Sequence, residues 1–285
     1  MKCVAVLSAM VAMILSGCGQ APSTSSGGNT PVPWTPQYAY VINLADSTLS
    51  QYSMAADGSL APLSTPTIAT GSAPMAIAAD LTGRYVYVSN TGDSTISQYS
   101  VNPDGTLNPT SSPIASDLFP TELILSPNGD FLYSVNSGGS ISQYSIGADG
   151  SLTWISIVSI GGFYLQGITF SPSGNFAYVV DVGAQALYPF SVAATGALSP
   201  LSPASIPLPG CPSGPVAAAS VSGGEFLYVL GCLPNEIEVF SIGSDGSLVA
   251  TSAVPTGNSP EGMIISGSTI YVTNLQDATV STFAR

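Results

Sequence analysis

A repeat of 43 to 50 residues runs through the chain and limits its fold more than any other feature. Six segments share one pattern: an apolar run containing tyrosine, a short polar loop and a second apolar run, as in "YVYVSNTGDSTISQYS" and "TIYVTNLQDATVSTF". The matching tyrosines are Tyr40, Tyr87, Tyr133, Tyr178, Tyr228 and Tyr271. A period in this range indicates a repeat architecture in which each unit is one supersecondary element.

Each repeat has the composition of four short antiparallel strands. In the second repeat the segments "PMAIAAD", "YVYVSN", "TISQYSV" and "TLNPTSSPIAS" are separated by turn residues and are rich in β-branched and aromatic side chains. Asp-Gly pairs at 57–58, 104–105, 149–150 and 245–246 suit hairpin turns that need a positive φ, so we interpret them as turn residues. The sequence therefore predicts an all-β fold, a β-propeller of about six four-stranded antiparallel blades.

How the ring of blades closes is left open by the sequence. Six second strands and six third strands can be recognised, but the first repeat lacks an inner strand and the last lacks an outer one. Residues 30–37 could be recruited as an outer strand, although their prolines limit them to edge pairing. No segment supplies the missing inner strand, so a seven-bladed or incompletely closed ring is the alternative.

The N-terminus carries an address signal. In "MKCVAVLSAMVAMILSGC" the apolar run is too short to span a membrane and fits the core of a signal peptide. The run ends in Leu15-Ser16-Gly17-Cys18, which resembles the bacterial lipobox; this implies cleavage before Cys18 and lipidation of that cysteine. The alternative is an ordinary signal peptide with a coincidental cysteine.

Three parts of the chain follow from this signal. Residues 1–17 are expected to be the lipoprotein signal peptide, residues 18–36 a lipidated flexible tether rich in Ser, Gly and Pro, and residues 37–285 the propeller domain. Lipid on Cys18 would hold the protein in the cell envelope. In a cell with two membranes the lipobox resemblance implies the outer membrane, with the domain facing the periplasm or the cell surface.

Charge excludes one class of partner. Charged residues make up 7% of the chain, with 3 basic against 16 acidic, and no histidine is present. Removal of the signal peptide would also remove Lys2 and leave Arg84 and Arg285 as the basic residues. Nucleic-acid binding is excluded because no basic patch can form to neutralise phosphates. Adsorption of the folded domain to anionic lipid is disfavoured for the same reason.

Two cysteines remain after Cys3 leaves with the signal and Cys18 takes lipid. Cys211 precedes the inner strand of the fifth repeat, and Cys232 follows its second strand. These strands form a hairpin, so both cysteines are expected at the same end of the blade. Outside the cytoplasm a disulfide between Cys211 and Cys232 is predicted. Unbridged thiols are the alternative, because sequence does not give the Cα separation.

Several motifs resemble those of the YVTN-repeat propellers of the lactonase-like superfamily. These are "YVTN" at Tyr271–Asn274, the connectors "SPNGDFLYSVN" and "SPSGNFAYVVD", and the lead-ins "TGSAPMAIAAD" and "TGNSPEGMIIS". The resemblance covers nearly all of residues 38–285 and implies the propeller fold. Its implication for activity is broader, because such propellers range from phosphogluconolactonases to proteins without known chemistry.

The usual lactonase site does not transfer to this chain. The resemblance implies a binding face made by the loops that lead into each inner strand and the loops that join second and third strands. The enzymes place His, Arg and acidic residues there, but this chain has no histidine, and Arg84 falls in a turn on the opposite face. A Ser-His-Asp triad is therefore excluded, and no Gly-x-Ser-x-Gly turn is present.

Carboxylates are the remaining candidates for chemistry. Glu122 and Glu261 come after Pro120 and Pro260 at the start of inner strands and are the candidate catalytic residues. The candidate ligand-binding residues in the loops of the same face are Asp46, Asp93, Asp181 and Asp277. Such a ring could bind Ca²⁺, and a metal-bound water could hydrolyse an ester. The alternative is that these are solvated acids on a polar face, with no cofactor.

Two functions are consistent with these observations. The first is a monomeric, lipid-anchored, non-catalytic propeller outside the cytoplasm that presents an acidic, polar face to a protein, glycan or cation. The second is a lactonase-type hydrolase, similar to 6-phosphogluconolactonases, that works through carboxylates with or without a divalent metal. The missing catalytic side chains favour the first.

Overall fold

The structure is a computed structural model that describes residues 4–7, 11–16, 37–162, 164–208, 211–221 and 224–284. These residues form twenty-six strands in six sheets, with all strand pairs antiparallel and no α-helix. No helix in this part of the chain is therefore long and apolar enough to cross a bilayer. The chain divides into a first unit, residues 1–115 and 148–151, and a second unit, residues 116–147 and 152–285.

The first unit contains sheets 1 and 2. Sheet 1 consists of β1 (Val4–Leu7), β2 (Val11–Ser16), β3 (Tyr38–Asn43), β4 (Thr48–Met54) and β5 (Leu60–Ala69), in that order. Sheet 2 consists of β6 (Pro74–Ala79), β7 (Tyr85–Asn90), β8 (Thr95–Val101), β9 (Leu107–Pro109) and β10 (Ile114–Ala115), in the order β10-β8-β7-β6 with β9 also paired to β8.

Sheets 3 and 4 follow. Sheet 3 consists of β11 (Pro120–Leu125), β12 (Phe131–Asn136), β13 (Ser140–Ile146) and β14 (Leu152–Ser159). Sheet 4 consists of β15 (Leu165–Phe170), β16 (Phe176–Asp181), β17 (Ala186–Val192), β18 (Leu198–Pro200) and β19 (Ile206–Pro207), with both β18 and β19 paired to β17.

Sheets 5 and 6 complete the second unit. Sheet 5 consists of β20 (Cys211–Val221), β21 (Gly224–Leu233), β22 (Asn235–Ile242) and β23 (Leu248–Pro255). Sheet 6 consists of β24 (Pro260–Ser266), β25 (Thr269–Asn274) and β26 (Thr279–Ala284). Sheet 6 therefore has three strands among the described residues, as the missing outer strand of the last repeat predicts.

Sheet 1 differs from the sequence-based expectation. No segment was expected to supply its inner strand, but β2 pairs with β3 in that position, with Ile14 opposite Tyr40. An apolar run can satisfy the open edge of β3, which explains the pairing. The same run is the core of the predicted signal peptide, which stays a prediction. If cleavage occurs, the mature protein loses this strand.

Consecutive sheets share apolar interfaces within each unit. In the first unit, residues of sheets 1 and 2 form one cluster, which includes Tyr40, Leu49, Val88 and Tyr99. In the second unit, three further clusters join sheets 3 and 4, sheets 4 and 5, and sheets 5 and 6. Their members include, in that order, Tyr133 with Phe170, Tyr178 with Leu227, and Tyr228 with Ile270. Successive residues of β7, β12 and β16 are buried, because these strands are covered on both faces.

The repeated tyrosines lock neighbouring segments together. The hydroxyl of Tyr133 donates to the backbone oxygen of Gly196 at 2.7 Å, and the hydroxyl of Tyr178 donates to that of Gly246 at 3.1 Å. Gly196 and Gly246 have φ of 82°, and a Cβ on either would strike the ring of Phe131 or Phe176. Glycine is thus required in these turns by φ and by close packing. Tyr271 differs, because it is 39% exposed.

Each sheet has one end that we call the loop end. It carries the lead-in loop, which precedes the first strand, and the loop that joins the second and third strands. In sheet 2 this end is set by the pairs of Asn90 with Pro74 and with Thr95. Arg84 lies in the turn at the opposite end, as predicted. There its Nε donates to the hydroxyl of Thr82 and its guanidinium stacks on the ring of Tyr85.

Candidate functional site

The lead-in loop of sheet 2 is fixed by polar side chains. Asn90, at the end of β7, accepts a hydrogen bond from the backbone N–H of Gly71 and donates to the hydroxyls of Thr95 and Ser97. Asp93 accepts from the backbone N–H of Ser72 at 2.5 Å. A Cβ on Gly71 would lie 2.6 Å from the Asn90 side chain, which explains the glycine of this motif.

Sheet 6 repeats this arrangement. Asn274 accepts from the backbone N–H of Gly257, and Asp277 accepts from both the backbone and the side-chain N–H of Asn258. These hydrogen bonds lower the pKa of Asp277, and the bond from the backbone N–H makes the larger contribution. Asp93 and Asp277, both predicted as ligand-binding residues, therefore have structural partners in the lead-in loops of their sheets.

The residue just before the first strand is left-handed in four sheets. Its φ is 51° at Ala73, 59° at Phe119, 73° at Tyr164 and 51° at Ser259. The fold therefore imposes this conformation, which small residues occupy in sheets 2 and 6. Sheets 3 and 4 place bulky aromatic residues there, which is unusual because a large side chain is disfavoured at positive φ.

These aromatic residues form an exposed apolar rim together with Leu118. The side chains of Leu118, Phe119 and Tyr164 are 59%, 55% and 66% exposed. Their backbone is held in place, because Ser137 N–H donates to the oxygen of Phe119 at 2.9 Å and Val182 N–H donates to that of Tyr164 at 3.1 Å. The rim thus consists of large apolar side chains on fixed loops.

Glu122 lies on β11, three residues after Phe119 of this rim. It pairs with Val135 and lies on the surface of sheet 3 that faces sheet 4, where its carboxylate accepts from the backbone N–H of Ile168. Its Oε2 is buried without a hydrogen-bond partner, although part of the side chain is accessible. Burial raises the pKa of Glu122 to about 8, and the Ile168 hydrogen bond opposes this increase.

The position of Glu122 is small in the matching strands. Residues paired at the same place in sheets 2, 4 and 6 are Ala76, Gly167 and Gly262. A buried carboxyl therefore replaces a small apolar group in sheet 3 alone among these four. Burying an ionisable group without full hydrogen bonding is costly, so such a group is a candidate for function.

Asp181 is a second buried carboxyl with an unpartnered oxygen. It is the last residue of β16, so it takes the strand position of Asn90 and Asn274. The sequence predicts it instead in the loop that follows this strand. Its Oδ1 accepts from Ala184 N–H, and its buried Oδ2 has no partner. Burial raises the pKa of Tyr188, and the nearby charge of Asp181 raises it further.

The turn between β12 and β13 brings the two lead-in loops together. A Cβ on Gly138 would lie 3.3 Å from the oxygen of Leu118, and one on Gly139 would strike the oxygen of Gly162. A Cβ on Gly162 would in turn strike Oδ2 of Asp181. Leu118, this turn and Asp181 are therefore near neighbours, and we call this region, with Phe119, Glu122 and Tyr164, the candidate site.

Sheet 5 carries a different change at its loop end. Gly231 takes the position that Asn90 has in sheet 2. Glu236 and Glu238 take the positions of Thr95 and Ser97, whose hydroxyls accept hydrogen bonds from Asn90. Glu238 is half-buried. Burial, and then the charge of Glu236, raises the pKa of Glu238 to about 7. This pair adds negative charge to the second unit.

The other predicted residues are not assembled into a site. Glu261 follows Pro260 directly and lies at a register shift of β24, whereas Glu122 is the second residue after its proline, so the two candidates occupy different strand positions. Asp46 is exposed in the loop between β3 and β4. The described residues contain no group of three or more His, Cys, Asp or Glu placed to hold a metal ion.

The cysteine predictions stay predictions. Cys18 lies outside the described residues. The backbone of Cys211 pairs with Leu233, next to Cys232 along β21, which agrees with the expectation that both cysteines lie at one end of the hairpin.

Sequence reasoning missed Leu118, Phe119 and Tyr164. Aligning the lead-in loops would have found the signal, because "SDLFP" and "GGFYL" replace the small residues of "TGSAP" and "TGNSP".

Comparisons with known proteins bear on the fold and the family. The sequence matches the family described as "Lactonase, 7-bladed beta-propeller" over residues 32–139, 119–213 and 168–285. This confirms the predicted β-propeller; the family description has seven blades, the stated alternative, whereas the described residues form six sheets. A search of curated protein sequences gives no significant match.

Solved structures with the same fold include three bacterial proteins. A putative 6-phosphogluconolactonase from Bacteroides fragilis has a TM-score of 0.72 and 19% identity, over 88% of this chain and 77% of that one. A protein from Lactobacillus plantarum has a TM-score of 0.72 and 22% identity, over 87% and 78%. The periplasmic gluconolactonase of Pseudomonas aeruginosa has a TM-score of 0.69 and 20% identity, over 88% and 78%. At these identities the similarity establishes the fold.

Proposed function

Because the chain belongs to the family of seven-bladed β-propeller lactonases, we propose that it hydrolyses a lactone at the candidate site. The observation that carries the proposal is the Glu122 carboxyl, which lies on β11 three residues after Phe119 and is buried with one oxygen unpartnered and a pKa of about 8. A general base works best when its pKa is near the operating pH, and an ordinary exposed glutamate is too acidic for that.

The proposed reaction uses one carboxyl group in two steps. Ionised Glu122 takes a proton from water while the water oxygen bonds to the carbonyl carbon of the lactone. The bond from that carbon to the ring oxygen then breaks, and protonated Glu122 returns the proton to the departing oxygen. The product is the open hydroxy acid, and Glu122 is regenerated as the carboxylate.

Hydrolysis of lactones by the purified full-length chain in detergent tests the proposal. Ring opening releases acid, which a pH indicator follows after subtraction of spontaneous hydrolysis. Turnover that Glu122→Gln abolishes supports the assignment. Turnover that Glu122→Gln leaves unchanged would place the chemistry elsewhere.

A non-catalytic binding propeller is the second candidate. It is favoured by the absence of histidine from the chain and by Asp93 and Asp277, whose carboxylates accept hydrogen bonds from the lead-in loops of their sheets. In this case the polar loop ends would bind a protein or glycan. The absence of turnover, together with capture of one specific envelope component, would favour it over the hydrolase.

We also propose that lipid on Cys18 anchors the protein in the cell envelope, at the outer membrane of a cell that has one. The support is the apolar run followed by Leu15-Ser16-Gly17-Cys18. Labelling of cells with a radioactive fatty acid should mark the wild-type protein and not Cys18→Ala. An unlabelled, secreted wild-type protein would contradict this part of the proposal.

A further inference from the structure

The candidate site has a charge that restricts its substrate. From residue 116 to residue 284 the chain contains no lysine, arginine or histidine, so the described part of the second unit has no basic side chain. The last described residue, Ala284, pairs with Thr269 at the end of sheet 6 opposite the loop end. A phosphate or carboxylate on a ligand would therefore meet acidic groups and no basic side chain from the described part of this unit.

The geometry of the rim indicates what the site can hold instead. Phe119 and Tyr164 present exposed aromatic rings on backbone that is fixed by hydrogen bonds, so little ordering is needed when a ligand stacks on them. Ligand sites combine such apolar surfaces with a few polar groups that orient the ligand. Here the polar group is the carboxyl of Glu122, which can form a hydrogen bond with a hydroxyl group and gives an anion no cation to pair with.

A comparison with sheets 2 and 6 separates function from fold. All four lead-in loops have the left-handed residue, but only sheets 3 and 4 among these combine it with an aromatic side chain. The fold requires the backbone conformation and does not require the aromatic ring. The rings are therefore best explained by a ligand that contacts them.

We infer that the substrate is an uncharged, hydroxylated lactone whose ring has an apolar face, and that its phosphorylated or carboxylated analogues are rejected. This inference rests on the proposed hydrolase function, since it assigns the substrate class of the same site. It separates this chain from an enzyme for 6-phosphogluconolactone, the activity that the name of the Bacteroides fragilis structure suggests for that protein.

The test compares glucono-1,5-lactone with its 6-phosphate as substrates of the full-length chain. We expect kcat/KM to be at least about 100-fold higher for the neutral lactone, because the site offers no group to pair with the phosphate. Equal or higher kcat/KM for the phosphate would overturn the inference and leave the hydrolase proposal standing.

A charge introduced at the rim sharpens this test. Leu118→Arg should raise kcat/KM for the phosphorylated lactone about 10-fold more than kcat/KM for the neutral lactone, because the new cation can pair with the phosphate. Val249→Arg, at a 62% exposed position on the outer strand of sheet 5, is the matched control and should change neither. A gain in Val249→Arg equal to that in Leu118→Arg would contradict the assigned location.

Binding of non-hydrolysable analogues separates the two failures. If neither lactone is hydrolysed, the hydrolase proposal fails, and saturation-transfer NMR with a neutral δ-lactam and its phosphorylated form still tests recognition. Binding of the neutral lactam that Phe119→Ala and Tyr164→Ala each weaken supports the inference. Binding of the phosphorylated lactam alone, or of neither lactam, overturns it.

Discussion

The loop ends of sheets 2 and 6 and those of sheets 3 and 4 are built on the same backbone but carry different side chains. In sheets 2 and 6, an asparagine and an aspartate tie a small lead-in loop to the sheet, and their polar groups are satisfied. In sheets 3 and 4, aromatic residues occupy the left-handed position, and two buried carboxyl oxygens have no partner. Among the described residues of these four sheets, the buried carboxyl oxygens without a hydrogen-bond partner lie in sheets 3 and 4, and function is expected there.

Removing the Glu122 carboxyl should have the largest effect on activity. We expect Glu122→Gln to lower kcat/KM for lactone hydrolysis by about 10² to 10⁴-fold, the usual contribution of a positioned acid or base. Glu225→Gln, at the opposite end of sheet 5, is the control and should retain activity. An equal loss of kcat/KM in the two variants would show that the effect is not specific to the Glu122 carboxyl.

The same carboxyl should make stability depend on pH. Its pKa in the folded chain, about 8, is above the ordinary glutamate value of 4.5, so the folded state holds the proton more tightly. This contribution to stability is fully present below about pH 4.5 and is lost as the pH rises through about 8. Between pH 5 and pH 9 the free energy of unfolding should fall by roughly 2–4 kcal/mol more in the wild type than in Glu122→Gln.

Urea unfolding of both proteins at pH 5, 7 and 9 measures this difference. The comparison with the variant is needed because Glu238, with a pKa of about 7, titrates in the same range. Parallel pH dependence in the two proteins would show that Glu122 is not buried as described.

The lead-in glycine of sheet 6 tests the satisfied side of the comparison. Gly257→Ala places a methyl group 2.7 Å from the Asn274 side chain and should cost about 1–3 kcal/mol of stability. In an Asn274→Ala background the same substitution should cost less, because the contact with Asn274 is removed while that with Oδ2 of Asp277, at 2.8 Å, remains. Chemical denaturation of the four proteins of this cycle gives the coupling, and additive effects would argue against the described contact.

The smallest expected effect concerns the left-handed aromatic. Phe119→Asn should leave stability unchanged or raise it by up to about 1 kcal/mol, because asparagine tolerates positive φ, while the KM for the lactone rises. Ala73→Asn, at the matching position of sheet 2, should leave KM unchanged. Thermal unfolding and steady-state kinetics together check this, and a KM unaffected by Phe119→Asn would exclude the ring from the site.

The sequence predicted the repeat architecture because strand and turn signals are local. The spacing of Tyr133 and Gly196 reflects one hydrogen bond between neighbouring sheets. The same bond recurs from Tyr40 to Gly105, from Tyr87 to Gly150 and from Tyr178 to Gly246. The candidate site is not local. The burial of Glu122 depends on how sheet 4 packs on sheet 3. Asp277 acts as a structural partner of Asn258 because the chain folds back over nineteen residues to bring the two together.

The apolar run at the N-terminus shows a second limit of sequence reasoning. Its composition fits both a signal-peptide core and a strand, and in the structure Val11–Ser16 pairs with β3. Pattern alone does not decide between the two, because a short apolar run fits either.

The pH dependence of kcat/KM for a neutral lactone tests the central assignment most directly. If Glu122 is the base at the candidate site, kcat/KM should increase with pH and level off above an apparent pKa near 8, and the increase should be absent in Glu122→Gln. A profile that levels off near pH 4 to 5, or one that is the same in wild type and variant, would contradict the account.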